Sequence, residues 1–156
     1  MEWANDYQEN QVTIIYDTMW NSTRRMAESI ALGIKQSNKD IIVKLFNCAR
    51  SDNTNLVGEV FKSKAIIIGS STINKGILSS IAAILEHIKG QCFKKKKAVA
   101  FGSYGWSGES VNIITEELKK SGFEILEEGI KLIWVPDQEG LKKCIEFGSK
   151  IGQKLI

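Results

Sequence analysis

Three polar segments of the chain each follow an apolar run and precede a helical pattern, and their side chains suit the binding of a phosphate and a flat ring. The first segment contains Thr18, Met19, Trp20, Asn21, Ser22 and Thr23. Its hydroxyl and amide side chains, with the unpaired N–H groups of the helix that follows, favour an anion. The segment has neither Gly nor Lys, so it is not a Walker loop, and it lacks the GxGxxG pattern of dinucleotide binders. It predicts a terminal monophosphate, although Ser22 or Thr23 could also simply cap the helix.

The other two segments suit the planar part of a ligand. The second contains Ser70, Ser71, Thr72, Ile73, Asn74, Lys75 and Gly76, whose polar groups could hydrogen-bond the edge of a heterocycle. The third contains Ser103, Tyr104, Gly105, Trp106, Ser107 and Gly108. Two aromatic side chains separated by one glycine offer surfaces for stacking, and glycine lets the backbone come close to a ligand. The alternative is that Tyr104 and Trp106 pack on neighbouring helices.

Five apolar runs predict the strands that position these segments. They are Val12 to Tyr16, Ile41 to Phe46, Ala65 to Gly69, Ala98 to Gly102 and a longer stretch from Phe123 to Val135. Because most of them are continuously apolar rather than alternating, they are typical of parallel strands covered on both faces. Between and after them, apolar residues recur at helical spacing. Asp52 and Asp137 mark helix starts, and Gly90 and Gly122 mark helix ends.

Strands and helices alternate along the chain, and this order predicts an α/β fold of three layers. Right-handed crossovers place helices on both faces of an open, five-stranded parallel sheet, for which the strand order 2-1-3-4-5 is common. Ligands of such sheets bind at the carboxyl ends of strands 1, 3 and 4. The three polar segments follow those strands, so the fold would gather them into one site.

Length and composition narrow the function classes. A chain of 156 residues, 43% apolar and 25% charged, is typical of one soluble globular domain. No apolar run is long enough to cross a membrane, and residues 1–6 lack the pattern of a signal segment, so we expect a cytoplasmic protein. A net charge of +3 is too small to indicate nucleic acid binding.

Metal-binding side chains are scarce in the sequence. His87 is the only histidine, and its helical pattern favours a position on a helix face over a ligand position. Cys48, Cys92 and Cys144 are far apart and form no CxxC motif. We therefore predict three buried thiols, with neither a metal centre nor a disulfide framework.

Several motifs in and around the three segments mark a known family. They are Tyr16-Asp17-Thr18-Met19 with Ser22-Thr23 and Met26-Ala27, Gly69-Ser70-Ser71-Thr72 with Asn74, and Phe101-Gly102-Ser103-Tyr104-Gly105-Trp106-Ser107-Gly108. Together they resemble the flavodoxin-like FMN domain of flavodiiron proteins, particularly those of the flavorubredoxin, or anaerobic nitric oxide reductase, type. The resemblance covers nearly the whole chain. The Thr-Met and Gly-Trp-Ser-Gly forms differ from those of ordinary free flavodoxins.

The resemblance implies a flavodoxin-like three-layer sandwich that binds FMN over residues 12–156, preceded by a linker-like segment over residues 1–11. Its implied phosphate ligands are Thr18, Met19, Asn21, Ser22 and Thr23, with Trp20 beside them. The loops at residues 71–76 and 103–108 would flank the isoalloxazine, and Lys75 could stabilise the reduced, anionic flavin.

The same resemblance implies electron relay from a rubredoxin-like or flavoprotein donor to a diiron centre in a metallo-β-lactamase-like domain outside this chain. We therefore expect a piece of a longer protein that does not reduce oxygen or nitric oxide alone. A free-standing flavodoxin and an NAD(P)H-dependent quinone reductase are alternatives, although no segment suggests a nicotinamide or quinone site. A phospho-acceptor receiver domain would need clustered acids after the first strand, where the sequence has only Asp17.

Overall fold

The computed structural model describes residues 8–17, 21–72, 76–93, 95–104, 108–133 and 136–156. The first four apolar runs form strands β1 (Glu9–Asp17), β2 (Ile42–Asn47), β3 (Ser63–Ser71) and β4 (Lys97–Tyr104). The helices are α1 (Ser22–Ser37), α2 (Asn53–Lys62), α3 (Ser79–Gly90), α4 (Glu109–Lys120) and α5 (Gln138–Lys154), with one 3-10 turn over Cys48–Arg50. The alternation expected from the sequence is confirmed.

The strands form one parallel sheet in the predicted order, with β1 and β3 at its centre and β2 at one edge. The other edge departs from the prediction. The stretch expected to be one strand from Phe123 is interrupted and forms β5 (Glu124–Ile125) and β6 (Ile130–Ile133), both parallel to β4.

The interruption arises because, between its two pairings with β4, the edge strand has two more residues than β4 has. Ala98 and Phe101 of β4 are three residues apart, whereas their partners, Ile125 and Ile130, are five residues apart. A Cβ at Gly129 would lie 2.7 Å from the carbonyl oxygen of Ala100, so this glycine lets the chain return to β4 closely. A continuous apolar strand was the wrong prediction here because the sequence pattern does not show the register of the pairing.

Two hydrophobic clusters fill the space on either side of the sheet. Helices α1 and α5 cover the first, which is built on residues such as Ile14, Ile67 and Phe101. Helices α2, α3 and α4 cover the second, built on residues such as Ile15, Ile68 and Ala100. Neighbouring strand residues alternate between the two clusters, as the pleat of a sheet requires. The carboxyl ends of the central strands are therefore held by packing on both faces.

Helices α1 and α5 lie against each other at three glycines. A Cβ on Gly33 would overlap the carbonyl oxygen of Ile145, and a Cβ on Gly148 would overlap that of Ile30. A third glycine, Gly152, lies against the side chain of Ser37, and a Cβ on it would be 2.9 Å from the carbonyl oxygen of Ile34. The two backbones therefore touch directly, and the glycines set the distance between α1 and α5.

The predicted helix caps are mostly confirmed. Asp52 accepts a hydrogen bond from the N–H of Thr54 at 2.9 Å, and Asp137 accepts one from the N–H of Gly140 at 2.7 Å. Gly122 follows α4 with a positive φ of 91°, the conformation that glycine adopts readily at helix ends.

Helix α3 ends at Gly90, as predicted, but this glycine is not left-handed. Cys92 has the positive φ instead, at 53°. Cys92 is also exposed, against the prediction of three buried thiols, because it lies in this turn rather than under a helix. Cys48 and Cys144 are buried as predicted.

A polar network lies at the other, amino end of the sheet, and Ser63 is its centre. The hydroxyl of Ser63 lies 2.7 Å from that of Thr13, accepts a hydrogen bond from Gln11 at 3.3 Å and donates one to the carbonyl oxygen of Glu59 at 2.7 Å. Ser63, Thr13 and Gln11 are all buried. Every hydroxyl here has a partner, as burial of polar groups requires.

The carboxylate of Glu59 gives a test of this network. Burial disfavours its charge, but hydrogen bonds from Gln11 and Lys44 and the charges of Lys44 and Lys62 outweigh burial and hold its pKa below the usual 4.5. A lowered pKa stabilises the fold above the pKa of the unfolded chain, and this contribution is lost as the pH falls through the folded value. We expect Glu59→Gln to lower the free energy of unfolding at pH 7 by about 1 kcal/mol.

The difference between Glu59→Gln and the unchanged protein should shrink as the pH falls through the lowered pKa of Glu59, below which both side chains are neutral. Urea unfolding at a series of pH values measures it. Glu116→Gln, on the exposed face of α4, is the control and should have little effect at any pH. A deficit for Glu59→Gln that is equally large at low pH would contradict the assignment.

Candidate functional site

The strand register brings the ends of the predicted loops to one edge of the sheet. Asp17 at the end of β1 pairs with Ser70 on β3, and Ser71 pairs with Ser103 on β4. Side chains alternate along each strand, so Ser71 and Ser103 both face α1, while Asp17 faces α3. The first turn of α1 lies over this edge.

Four hydroxyl groups meet beneath that turn, and we call them the hydroxyl cluster: Ser22 and Thr23 of α1, Ser71 of β3 and Ser103 of β4. The Oγ of Ser103 lies 2.9 Å from that of Ser22 and 2.9 Å from the Oγ1 of Thr23. Ser71 closes the group at 2.9 Å from Thr23 and 3.2 Å from Ser103. All four residues are buried.

The amino end of α1 is arranged for a negative charge. Asn21 precedes the helix with a left-handed backbone, φ 63°, and its side chain does not cap the helix. The first turn has no acidic residue but contains Arg24 and Arg25, and Arg24 forms an ion pair with the exposed Glu28 at 3.0 Å. Cations are unfavourable at a helix amino end unless an anion balances them, because the helix dipole is positive there. The charges therefore favour an anion at the hydroxyl cluster.

On the opposite face of the sheet, the second and third loops are joined by hydrogen bonds. The N–H of Thr72 donates to the carbonyl oxygen of Ser103 at 2.9 Å. The N–H of Ser110 donates to the hydroxyl of Thr72 at 3.2 Å, and its own hydroxyl donates to the carbonyl oxygen of Ser70 at 3.2 Å. A Cβ at Gly102 would lie 2.5 Å from that carbonyl oxygen, so glycine lets α4 begin this close to the sheet. The two loops thus share one framework.

The family description of flavodoxins matches residues 14–148, which span the sheet, the hydroxyl cluster and most of α5. The chain belongs to the flavodoxin family. Among its relatives is the anaerobic nitric oxide reductase flavorubredoxin of Escherichia coli K12, which is 44% identical over 154 residues. That match covers 99% of this chain but 32% of the relative, so the chain spans about a third of the length of the curated relatives it matches.

Solved structures place this flavodoxin domain with flavodiiron proteins. The rubredoxin oxygen:oxidoreductase of the anaerobe Desulfovibrio gigas is 34% identical, with a TM-score of 0.92 over 99% of this chain and 38% of its own. The flavodiiron protein of Giardia intestinalis is 27% identical, with a TM-score of 0.90 over 97% of this chain and 37% of its own. The resemblance inferred from the sequence motifs is confirmed.

The structure of this flavodoxin domain describes about half of the predicted ligand-binding residues. Those described are Asn21, Ser22, Thr23, Ser71, Thr72, Gly76, Ser103, Tyr104 and Gly108. Those outside the described residues are Thr18, Met19, Trp20, Ile73, Asn74, Gly105, Trp106 and Ser107, together with Lys75. Among the described residues, the predicted ligand-binding residues of the hydroxyl cluster lie together.

The strands extend further into the predicted loops than the sequence suggests. Tyr104 is the last residue of β4, and its ring lies next to Gly108, where a Cβ would be 3.3 Å from the ring carbon Cδ1. Ser71 likewise ends β3, so both residues are held by the sheet. Gly76 is half-buried just before α3. No helix in the described ranges is both long and apolar enough to span a bilayer.

One polar contact at this edge was missed from the sequence. The carboxylate of Asp17 accepts a hydrogen bond from the hydroxyl of Ser80 in the first turn of α3. The sequence does show a carboxylate directly after an apolar run. It does not show the partner of this carboxylate, because Ser80 lies 63 residues away. The contact ties the end of β1 to the start of α3, on the face opposite the hydroxyl cluster.

The thiol of Cys48 lies close to the same contact, and burial disfavours its ionisation. Burial raises its pKa to about 11, a hydrogen bond with Ser80 opposes this rise, and the charge of Asp17 adds to it. Burial also raises the pKa of Cys144, to about 12. Both thiols therefore stay protonated at neutral pH.

Proposed function

We propose that this chain binds FMN and relays electrons from a rubredoxin-like or flavoprotein donor to a diiron centre that lies outside it. The observation that carries the proposal is the hydroxyl cluster beneath an amino end of α1 that has no side-chain cap and no acidic residue. Hydroxyls and helix N–H groups suit the phosphate of a mononucleotide. Membership of the flavodoxin family supports FMN as that mononucleotide.

In this proposal the chain's own residues bind and orient the cofactor. Ser22, Thr23 and the N–H groups of the first turn of α1 hold the phosphate, with Thr18, Met19 and Asn21 of the preceding loop. The framework formed by Thr72 and Ser110 holds the two ring-binding loops at a fixed spacing. FMN, when bound, supplies one- and two-electron redox chemistry.

The donor and acceptor are proposed from the named activities of the relatives. One relative is called a nitric oxide reductase flavorubredoxin and another a rubredoxin oxygen:oxidoreductase. Since the chain spans about a third of their length, the acceptor would be a diiron metallo-β-lactamase-like domain beyond it. In that arrangement residues 1–11 would join the domain to the rest of the protein.

The proposal is tested by titrating the flavin-free chain with FMN and recording the visible spectrum. We expect a bound flavin with a shifted spectrum, and oxidation of reduced rubredoxin by the loaded protein under argon. Protein that retains no flavin would overturn the proposal. Binding of FMN with rapid NADPH-dependent reduction of a quinone, and no reaction with rubredoxin, would instead favour the quinone reductase.

Trp106 gives a separate test of the proposed ring site, in a part of the chain that the structure does not describe. We expect Trp106→Ala to weaken FMN binding about tenfold, because a stacked aromatic ring contributes on the order of 1 kcal/mol. Fluorescence titration with FMN measures the dissociation constant. Trp3→Ala, in the linker-like segment, is the control and should leave FMN affinity unchanged.

A further inference from the structure

We propose that Ser103 positions the phosphate-binding hydroxyls of Ser22 and Thr23 without itself touching the phosphate. The inference rests on the proposed function, because it concerns how FMN is recognised. It makes Ser103 a positioning residue that decides how strongly the site prefers a phosphorylated flavin over riboflavin.

The hydrogen bonds of the Ser103 hydroxyl are complete within the protein. A hydroxyl has one donor and two acceptor positions. Ser103 uses all three, with Ser22 at 2.9 Å, Thr23 at 2.9 Å and Ser71 at 3.2 Å. To bond a phosphate oxygen it would have to give up one of these partners. Ser103 also lies at the end of β4 and not in α1, so it contributes no N–H group to the amino end of that helix.

Ser22 is in the opposite situation. Among the described residues its hydroxyl bonds only Ser103, so two of its three bonding positions can serve a ligand. It is also the first residue of α1, where the N–H groups of the first turn have no partner within the helix and are available to an anion. We therefore assign the ligand contact to Ser22 and its support to Ser103.

The backbone of Ser103 gives this support its rigidity. β4 lies between β3 and the edge strand formed by β5 and β6, so its carboxyl end is paired on both sides. The carbonyl oxygen of Ser103 also accepts the N–H of Thr72 at 2.9 Å. Ser103 is thus fixed by the sheet, and through one hydroxyl it fixes the first turn of α1.

Loss of the Ser103 hydroxyl would weaken the binding of the phosphate of FMN and would leave the binding of its ring unchanged. Ser22 and Thr23 would each lose a partner and would turn towards other acceptors, so they would no longer be aligned for the phosphate. The hydrogen bonds between Thr72 and Ser110, which hold the ring-binding loops, do not involve the Ser103 side chain. The expected effect is therefore confined to the part of FMN that riboflavin lacks.

The test compares the dissociation constants of FMN and riboflavin for Ser103→Ala and for the unchanged chain. We expect FMN binding to weaken about tenfold while riboflavin binding stays the same, so that the preference for FMN falls about tenfold. Ser103→Cys, which keeps the size of the side chain but hydrogen-bonds weakly, should show a smaller fall and provides the comparison if the alanine variant does not fold.

Ser63→Ala is the matched control. Ser63 also joins three polar partners in a buried network on β3, but at the opposite end of the sheet. It should lower stability and leave the ratio of the two dissociation constants unchanged. An unchanged ratio in both Ser103 variants, or an equal loss of both ligands, would overturn the inference alone. An unchanged chain that does not bind FMN would overturn the proposed function as well.

Discussion

We expect Gly148→Ala to lower the free energy of unfolding by about 3 kcal/mol, at the upper end of the usual cost of overpacking. Helix propensity predicts the opposite sign, because alanine in a helix is favoured over glycine by up to about 1 kcal/mol. The added methyl group, however, would overlap the carbonyl oxygen of Ile30 on α1. That oxygen belongs to the backbone of a helix, so the overlap is relieved only by moving α1 away from α5.

A matched glycine in α2 separates the two effects. Gly58 is exposed, and a Cβ there would meet no atom within 4 Å, so Gly58→Ala should raise the free energy of unfolding by roughly 0.5–1 kcal/mol. Urea unfolding of both variants measures the difference. If Gly148→Ala were as stable as the unchanged chain, the direct contact of the α1 and α5 backbones would be wrong.

If the chain binds FMN as proposed, we expect Thr23→Ala to weaken FMN binding about thirtyfold, which corresponds to roughly 2 kcal/mol for a hydrogen bond to a charged group. The Thr23 hydroxyl is fully buried beside Ser71 and Ser103, at 2.9 Å from each. Its removal would take away the proposed donor to the phosphate and would leave the hydroxyls of Ser71 and Ser103 with one partner fewer. The effect should exceed that of Ser103→Ala, which acts through its neighbours.

Thr54→Ala provides the control for this prediction. Thr54 is the second residue of α2, as Thr23 is of α1, but it is exposed and its helix is capped by Asp52. Isothermal titration with FMN should give the same affinity for Thr54→Ala as for the unchanged chain. An FMN affinity of Thr23→Ala within threefold of the unchanged value would place the phosphate away from the hydroxyl cluster.

Much of the fold could be predicted because its signals are local. Continuously apolar runs mark strands covered on both faces, and their alternation with helices predicts a parallel sheet, for which the observed strand order is a common one. Asp52 and Asp137 cap helices because their short side chains reach the N–H groups two or three residues on. The polar loops were located for the same reason, since each directly follows a strand.

The features that escaped prediction depend on partners far along the chain. The interruption between β5 and β6 is set by the register against β4. The role of Gly33 at the helix contact depends on Ile145, and that of Asp17 depends on Ser80. The sequence predicted that the residues of the hydroxyl cluster belong to the site. It could not predict that Ser103 is central, because that position depends on the distances from its hydroxyl to those of Ser22, Thr23 and Ser71.

The contact of α1 with α5 also constrains the order in which the molecule can assemble. The segments that meet there are remote in sequence: the side chain of Asn38, just after α1, donates to the carbonyl oxygen of Gly152, 114 residues later. Contacts of such long range form late, because closing a long loop costs entropy before the contact repays it. On a ribosome, which makes a chain from its amino end, α1 emerges before α5 and can complete its packing only after α5 has followed. Within this domain, the helix that carries Ser22 and Thr23 of the hydroxyl cluster is thus synthesised before the helix that completes its packing.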